Sequence, residues 1–252
     1  MRFSPQLRDL NWLVDNPIAH RGFHDNRRGI IENTESAFAN AMVHGYAIEC
    51  DLQLSADGEA MVFHDDTLER LTNAKGPVNA YSVRELKRVK FSGCADRMQT
   101  LAEMLEQVDG RATLVMELKS HWDDDFTLAK RALQILGAYE GPFCLMSFDP
   151  HVVQAVCEPS PHTVRGITAD RTVDPWYNFL PLALRVEMRN FAHLGTTKPH
   201  FVSYLWSDLP YEPITEIRRA GHPVITWTLH SEVESSHAFR YCDQVTFEGY
   251  AP

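Results

Sequence analysis

The chain has no stretch near the roughly 20 consecutive apolar residues that a membrane-spanning helix needs, so stable insertion into a bilayer is not expected. It has no block of Lys and Arg either. Its formal net charge is −10 over 252 residues. A nucleic-acid surface, which needs clustered basic side chains, is therefore not expected. Cysteine is sparse and scattered: Cys50, Cys94, Cys144, Cys157 and Cys242 contain no Cys-x-x-Cys pair. That usage argues against both a disulfide framework and a thiolate zinc site. The opening residues from Met1 to Leu10 lack an apolar core and include Asp9, so no secretory leader is read there. A soluble, cytoplasmic protein is the expectation. There is no internal repeat and no low-complexity linker. Hydrophobic content of 44% and charged content of 23% suit an ordinary globular core, and a single domain over 1–252 is expected.

What the chain does have is an alternation of short apolar runs with longer amphipathic ones, the pattern of βα units. Strands are expected at 17–20, 46–51, 60–64, 113–118, 143–147, 163–167, 200–204, 224–228 and 244–247. Helices are expected at 34–44, 82–90, 100–108, 124–137, 149–157, 178–193, 212–220 and 231–240. Ser82 with Glu85 and Ser231 with Glu234 have capping-box spacing, and Gly221 suits the end of the helix before it. The strand list exceeds the eight of a closed barrel by one. One strand is therefore expected outside the barrel or not to form, and 200–204 has the weakest pattern. Between Asp51 and Ala60 there is no room for a helix, and Asp57-Gly58 signals a turn. The chain should double back there in extended form, returning His64 to the rim that holds Asp51. Residues 65–100, with a Lys75-Gly76-Pro77 turn and one short helix, should form a small excursion over that rim.

The chemistry-bearing residues lie at the ends of these runs. Glu49 and Asp51 are two apart in a strand, so their carboxylates share a side and converge. That arrangement suits a hard divalent cation, Mg²⁺ or Ca²⁺. His20 closes Pro17-Ile-Ala-His20 and His64 closes Ala60-Met-Val-Phe-His64, so each imidazole sits where a strand gives way to a loop. An imidazole exchanges protons near neutral pH, and a pair of them can divide acid and base roles. Glu117 closes Thr113-Leu-Val-Met-Glu117, with Lys119 two residues on. A carboxylate inside an apolar strand needs a partner. Either one metal shared with Glu49 supplies it, or an ion pair to Lys119 or Arg21 does. In a parallel barrel, functional groups gather at the C-terminal strand ends, where all five of these residues fall.

Taken in order, His20-Arg21-Gly22, Glu32-Asn33-Thr34, Glu49-x-Asp51, Asp57-Gly58 and His64-Asp65 resemble the N-terminal signature of glycerophosphodiester phosphodiesterases. The resemblance continues through Met116-Glu117-Leu118-Lys119, Ser147-Phe148-Asp149 and Trp227-Thr228, and so covers almost the whole chain. It implies an α/β fold, a TIM-type (β/α)8 barrel with a small insertion after the third strand, at about 65–100. It also implies Glu49, Asp51 and Glu117 as ligands of a divalent metal and His20 and His64 as the general acid–base pair. Arg21 and Lys119 match groups that hold the phosphate. Glu32 matches a residue orienting the His20-Arg21 loop, and Trp227 an apolar wall beside the substrate.

The implied reaction is metal-dependent hydrolysis of a small glycerophosphodiester to sn-glycerol 3-phosphate and an alcohol. There are departures from the family pattern. Ile31 stands where Pro usually precedes Glu-Asn-Thr, the loop His24-Asp25-Asn26-Arg27-Arg28-Gly29 is longer and charged, and the closing motif reads Thr246-Phe247-Glu248. These leave the metal and histidine positions intact and bear on the substrate's outer contacts. Two other readings stand beside this one. A lysophospholipase D-like enzyme would keep the chemistry and act on lipid headgroups, using the apolar run from Trp176 to Leu184, which otherwise reads as a core helix or rim cover. A non-catalytic phosphodiester-binding barrel is the third, since fold likeness alone does not establish activity.

Overall fold

Strands of a parallel barrel are buried on both faces and must be apolar almost throughout. In the computed structural model, which describes residues 9–252, nine strands form, eight of them of this kind. The leader reading above falls mainly on 1–8 and lies outside the described residues. The strands are β1 (Ile18–Ala19), β2 (Ala47–Leu54), β3 (Ala60–Val62), β4 (Leu114–Leu118), β5 (Phe143–Ser147), β6 (Arg165–Ala169), β7 (Phe201–Leu205), β8 (Val224–Leu229) and β9 (Gln244–Phe247). Eight of them pair in parallel in the order β1-β2-β4-β5-β6-β7-β8-β9, and β9 returns to β1 to close a TIM barrel. The surplus strand is β3, which runs antiparallel to the far end of β2 with Leu52 opposite Val62. Segment 200–204 is thus a barrel strand. Its pattern is weakened by Ser203, which faces a cavity at the barrel mouth.

Alternation along the strands sorts the interior into layers. On β2, Ile48, Cys50 and Leu52 point outward into the helix-packed core, as do Leu114, Met116 and Leu118 on β4. Their neighbours point in. Ala47, Val115, Cys144, Phe201 and Ile225 fill the lower barrel, where a short helix, Asn11–Val14, contributes Leu13. Gln244 Nε2 donates to the Val14 carbonyl at 2.8 Å and Thr113 Oγ1 to the Trp12 carbonyl at 3.1 Å, which ties this plug in place. A methyl at Gly166 would lie 2.4 Å from the Phe201 ring, so that position must be glycine for Phe201 to fill the interior. One layer higher the inward residues turn acidic.

The helices between strands follow the expected periods, with two differences. The expected 82–90 helix is only Val83–Leu86, because Leu86, Val89 and Phe91 turn inward to a separate small core under residues 65–100. The expected 178–193 helix is broken into Pro175–Phe179 and Leu182–Arg189, and a further short helix, Leu194–Thr197, follows it. Pro181 causes the first break: Leu180 before it is extended at φ −83°, ψ 146°, as a residue preceding proline must be. The excursion at 65–100 is anchored by Ile31, Met61, Phe63 and Leu68 in one buried cluster. Ile31, a departure from the family motif, is therefore an apolar peg for the excursion.

Candidate active site

β2 and β4 are neighbours in register, with Asp51 opposite Glu117 and Glu49 opposite Val115. Two inward positions of β2 and the last inward position of β4 thus present three carboxylates to one spot. Glu49, Asp51 and Glu117 are all buried, and each offers an oxygen within 4.8 Å of the others. Burial, then Asp51 and Glu117 beside it, push the Glu49 carboxyl well above the usual carboxylate range. Asp51 goes the other way. Burial opposes its charge, but Lys119, His64 and Arg21 outweigh that and hold it far below the usual range. Lys119 Nζ lies 2.8 Å from Asp51 and 2.6 Å from Glu117, and its own pKa is raised by these acids against the cost of burial. An ammonium between two carboxylates, with a third left undercompensated, is the electrostatics of a cation site built from hard oxygen donors.

The loop after β1 reaches this cluster through an unusual backbone. Arg21 and Gly22 both have positive φ, 55° and 79°. A methyl on Gly22 would stand 2.9 Å from the Ala37 backbone, so the His-Arg-Gly turn requires glycine on two counts. The turn aims the Arg21 N–H at Glu49 Oε2, 2.9 Å away. Asn33 completes the frame: its Nδ2 donates to Asp51 Oδ2 at 2.9 Å, and its Oδ1 accepts from the Asp51 N–H at 3.2 Å.

Two histidines flank the acids, each with a carboxylate at Nδ1. His20 Nδ1 is 2.6 Å from Glu248 Oε2, and His64 Nδ1 is 2.7 Å from Asp65 Oδ1. This contact assigns the Nδ1 proton to the carboxylate side and leaves Nε2 as the exchanging nitrogen. Burial is the largest influence on His20 and lowers its pKa, although the bond to Glu248 works against it. Glu248 is depressed to about 2, chiefly by the bond from His20. His24 Nε2 approaches the other Glu248 oxygen at 3.8 Å. The rest of the 24–29 loop folds on itself, with Asp25 and Ile30 exchanging backbone hydrogen bonds.

An ion-pair chain joins the two halves. Arg21 Nη1 donates to Glu32 at 2.6 Å. Arg70 from the excursion donates twice to Glu32, at 2.7 and 2.8 Å, and twice to Asp65, at 2.6 and 2.8 Å. The path Arg21–Glu32–Arg70–Asp65–His64 therefore fixes both sides of the mouth. Glu248, Asn33, Asp65 and Arg70 carry this framework. The sequence marked Asp65 as the polar residue beside His64 and gave the other three no role; Glu248 and Asn33 stand within recognised motifs, and Arg70 had no signal. Ser147-Phe148-Asp149 divides its work. Phe148 packs against Trp227 with centroids 5.3 Å apart. Asp149 is buried, caps the following helix through the His151 N–H, and accepts from Ser120 at 2.6 Å.

His20, Arg21, Glu49, Asp51, His64, Glu117, Lys119 and Trp227 all line one inner chamber of about 160 Å³. Glu32 stands behind them. The chamber opens into an outer cavity of about 790 Å³, and His64, Glu117, Lys119, Phe148 and Trp227 border both. Among the described residues, no helix is long and apolar enough to cross a membrane.

A TIM barrel with a buried carboxylate triad and two carboxylate-paired histidines at its mouth suits one class of protein, a hydrolase of anionic esters. The glycerophosphoryl diester phosphodiesterase family profile matches residues 20–249, and the chain belongs to that family, which hydrolyses glycerophosphodiesters. It is similar to a glycerophosphodiester phosphodiesterase of Caldanaerobacter subterraneus subsp. tengcongensis, 32% identical over 183 residues, covering 68% of this chain and 72% of the relative. Among solved structures, an Oleispira antarctica phosphodiesterase in complex with the product sn-glycerol-3-phosphate superposes with a TM-score of 0.77 at 22% identity, covering 94% and 93% of the two chains. The glycerophosphodiester phosphodiesterase of Thermotoga maritima gives 0.70 at 23% identity, covering 91% and 92%.

Proposed function

We propose that the chain cleaves small glycerophosphodiesters to sn-glycerol 3-phosphate and an alcohol at the barrel mouth, as one barrel unit with residues 65–100 as its insertion. Glu49, Asp51 and Glu117 would hold a divalent cation, Mg²⁺ or Ca²⁺, and His20 and His64 would move the protons. The observation that carries this is the buried triad, whose oxygens lie within 4.8 Å of one another, between two imidazoles of fixed tautomer. When bound, such a cation polarises the phosphate and offsets the charge that builds in the transition state.

The chain's own residues supply the rest. Arg21 and Lys119 line the inner chamber and add fixed positive charge to an otherwise acidic protein. They draw in the phosphate and stabilise its developing charge. His20 borders only the inner chamber, and burial keeps its pKa low, so it is neutral near pH 7. It suits the base, taking a proton from the attacking oxygen at Nε2. That oxygen belongs to water or to the neighbouring glycerol hydroxyl. His64 also borders the outer cavity, through which the alcohol must leave. It suits the acid, protonating the departing alkoxide. Glu32 and Arg70 hold the Arg21 and His64 loops at a fixed separation, and Trp227 walls the substrate. Five free cysteines accord with a reducing, cytoplasmic setting.

His20→Ala and His64→Ala should each lower kcat by about 10²–10⁴ while leaving the fold and divalent-metal affinity near wild type. A His64→Ala enzyme at full rate would remove that residue from the mechanism. A second reading, cleavage of lysophospholipid headgroups, is favoured by the exposure of Val173, Trp176, Phe179 and Leu182 beside the outer cavity. Comparing turnover of glycerophosphocholine with that of lysophosphatidylcholine separates the two.

A further inference from the structure

We propose that the outer cavity is a subsite for a cationic alcohol, so that the enzyme prefers ammonium-bearing glycerophosphodiesters over those with neutral polyol or anionic headgroups. The inference rests on the hydrolase reading and names the headgroup class that reading leaves open. With the glycerol phosphate end in the inner chamber, the leaving alcohol must lie in the outer cavity, because the two spaces meet at His64, Lys119 and Trp227.

The walls of that cavity are aromatic and acidic. Trp122, Trp176 and Tyr177 line it. They form one cluster through Phe179, with centroids 6.1 Å apart for Trp122–Phe179, 5.3 Å for Trp176–Phe179 and 4.9 Å for Trp176–Tyr177. Ring faces attract cations, and quaternary ammonium groups are held this way because they cannot donate hydrogen bonds. Asp170 and Asp174 also line it. Asp170 accepts from the Tyr177 hydroxyl at 2.8 Å and from the Thr172 N–H at 2.5 Å, and Asp174 accepts from the Trp176 N–H at 2.7 Å.

These donors are neutral, so they orient the two carboxylates without cancelling their charge. Of the nearby cations, Arg171 is paired with Asp208 and Lys119 with Asp51 and Glu117, while Arg189 and Arg185 donate to the Arg171 carbonyl and the Asn178 amide oxygen rather than to Asp170 or Asp174. Asp65 also lines the cavity but is neutralised by Arg70 and His64. Aromatic rings beside two carboxylates that no ion pair among the described residues neutralises favour an ammonium group, give a neutral alcohol nothing extra, and disfavour an anionic one.

The test measures kcat/KM at fixed divalent cation for three substrates. They are glycerophosphocholine, its uncharged isostere glycerophospho-3,3-dimethylbutanol, and glycerophosphoglycerol. The choline diester should be favoured over its isostere by about tenfold or more. Trp176→Leu and Asp174→Asn should each pull that ratio toward one. Because the ratio is taken within each enzyme, a general loss of folded protein cancels. A wild-type ratio near one overturns the subsite and leaves the hydrolase reading standing. A large ratio retained in both variants overturns the assignment to this wall. Turnover of none of the three takes down the hydrolase reading and this inference with it.

Discussion

Each chamber imidazole is gripped at Nδ1 by a carboxylate from a different part of the chain: Glu248 after β9 for His20, and Asp65 after β3 for His64. The Glu248 carboxylate raises the His20 pKa, while burial lowers it more. Removing the carboxylate leaves burial less opposed, so the His20 pKa falls further. Glu248→Gln should therefore move whichever limb of the pH–rate profile His20 sets to lower pH. It should also cut kcat on the order of 10- to 100-fold, because the tautomer and ring orientation are no longer fixed. An unchanged kcat with an unshifted profile would deny Glu248 this positioning role. At this scale the sequence was informative where chemistry is local. Glu49 and Asp51 share a side because strands alternate, and Glu117 was legible as an acid in an apolar run. Glu248 looked like a departure from a motif, because its partner lies 228 residues away. Arg70 was silent for the same reason, since its contact with Glu32 spans 38 positions.

Among the elements, the turn after β1 is the most constrained. Gly22 combines φ 79° with a methyl-sized space closed by the Ala37 backbone. Gly22→Ala should destabilise the protein by about 2–4 kcal/mol, from left-handed backbone strain plus overpacking, read as a lowered urea midpoint. Stability within about 0.5 kcal/mol of wild type would show that the turn can be rebuilt. Most strands and helices were legible because their periods are long and clean, as in Leu101–Val108 and Thr127–Leu136. The errors have particular causes. Ser203 breaks the apolar pattern of β7 because it faces the chamber. Pro181 carried its own break signal inside an apolar stretch that otherwise reads as one helix. Val83–Leu86 is cut short because the excursion closes on its own small core.

For the whole molecule, stability should depend on pH through histidines held neutral. His193 is buried 3% exposed near the Thr197 hydroxyl, and burial pushes its pKa down to about 4. In the window from about 6.5 down to about 4, the unfolded chain binds this proton and the folded one does not. Its contribution is therefore complete above 6.5 and lost as pH falls through the window, at about 3 kcal/mol in total. Urea titrations of wild type and His193→Gln between pH 7 and 4.5 should show the gap between them shrinking toward acid. A constant gap would mean that His193 titrates normally.

The βα alternation was legible from the count and spacing of apolar runs, and the closed barrel from the family resemblance. How the insertion is fastened was not, because Ile31 and Arg70 act through contacts that only the closed barrel creates. The architecture converges on one mouth, where three carboxylates would hold a cation beside two histidines. The rate of glycerol phosphate release from a glycerophosphodiester, taken on enzyme stripped by EDTA and again after Mg²⁺ or Ca²⁺ is restored, tests that claim most directly. The expected result is near-complete loss followed by recovery. Full activity in the stripped enzyme would contradict it.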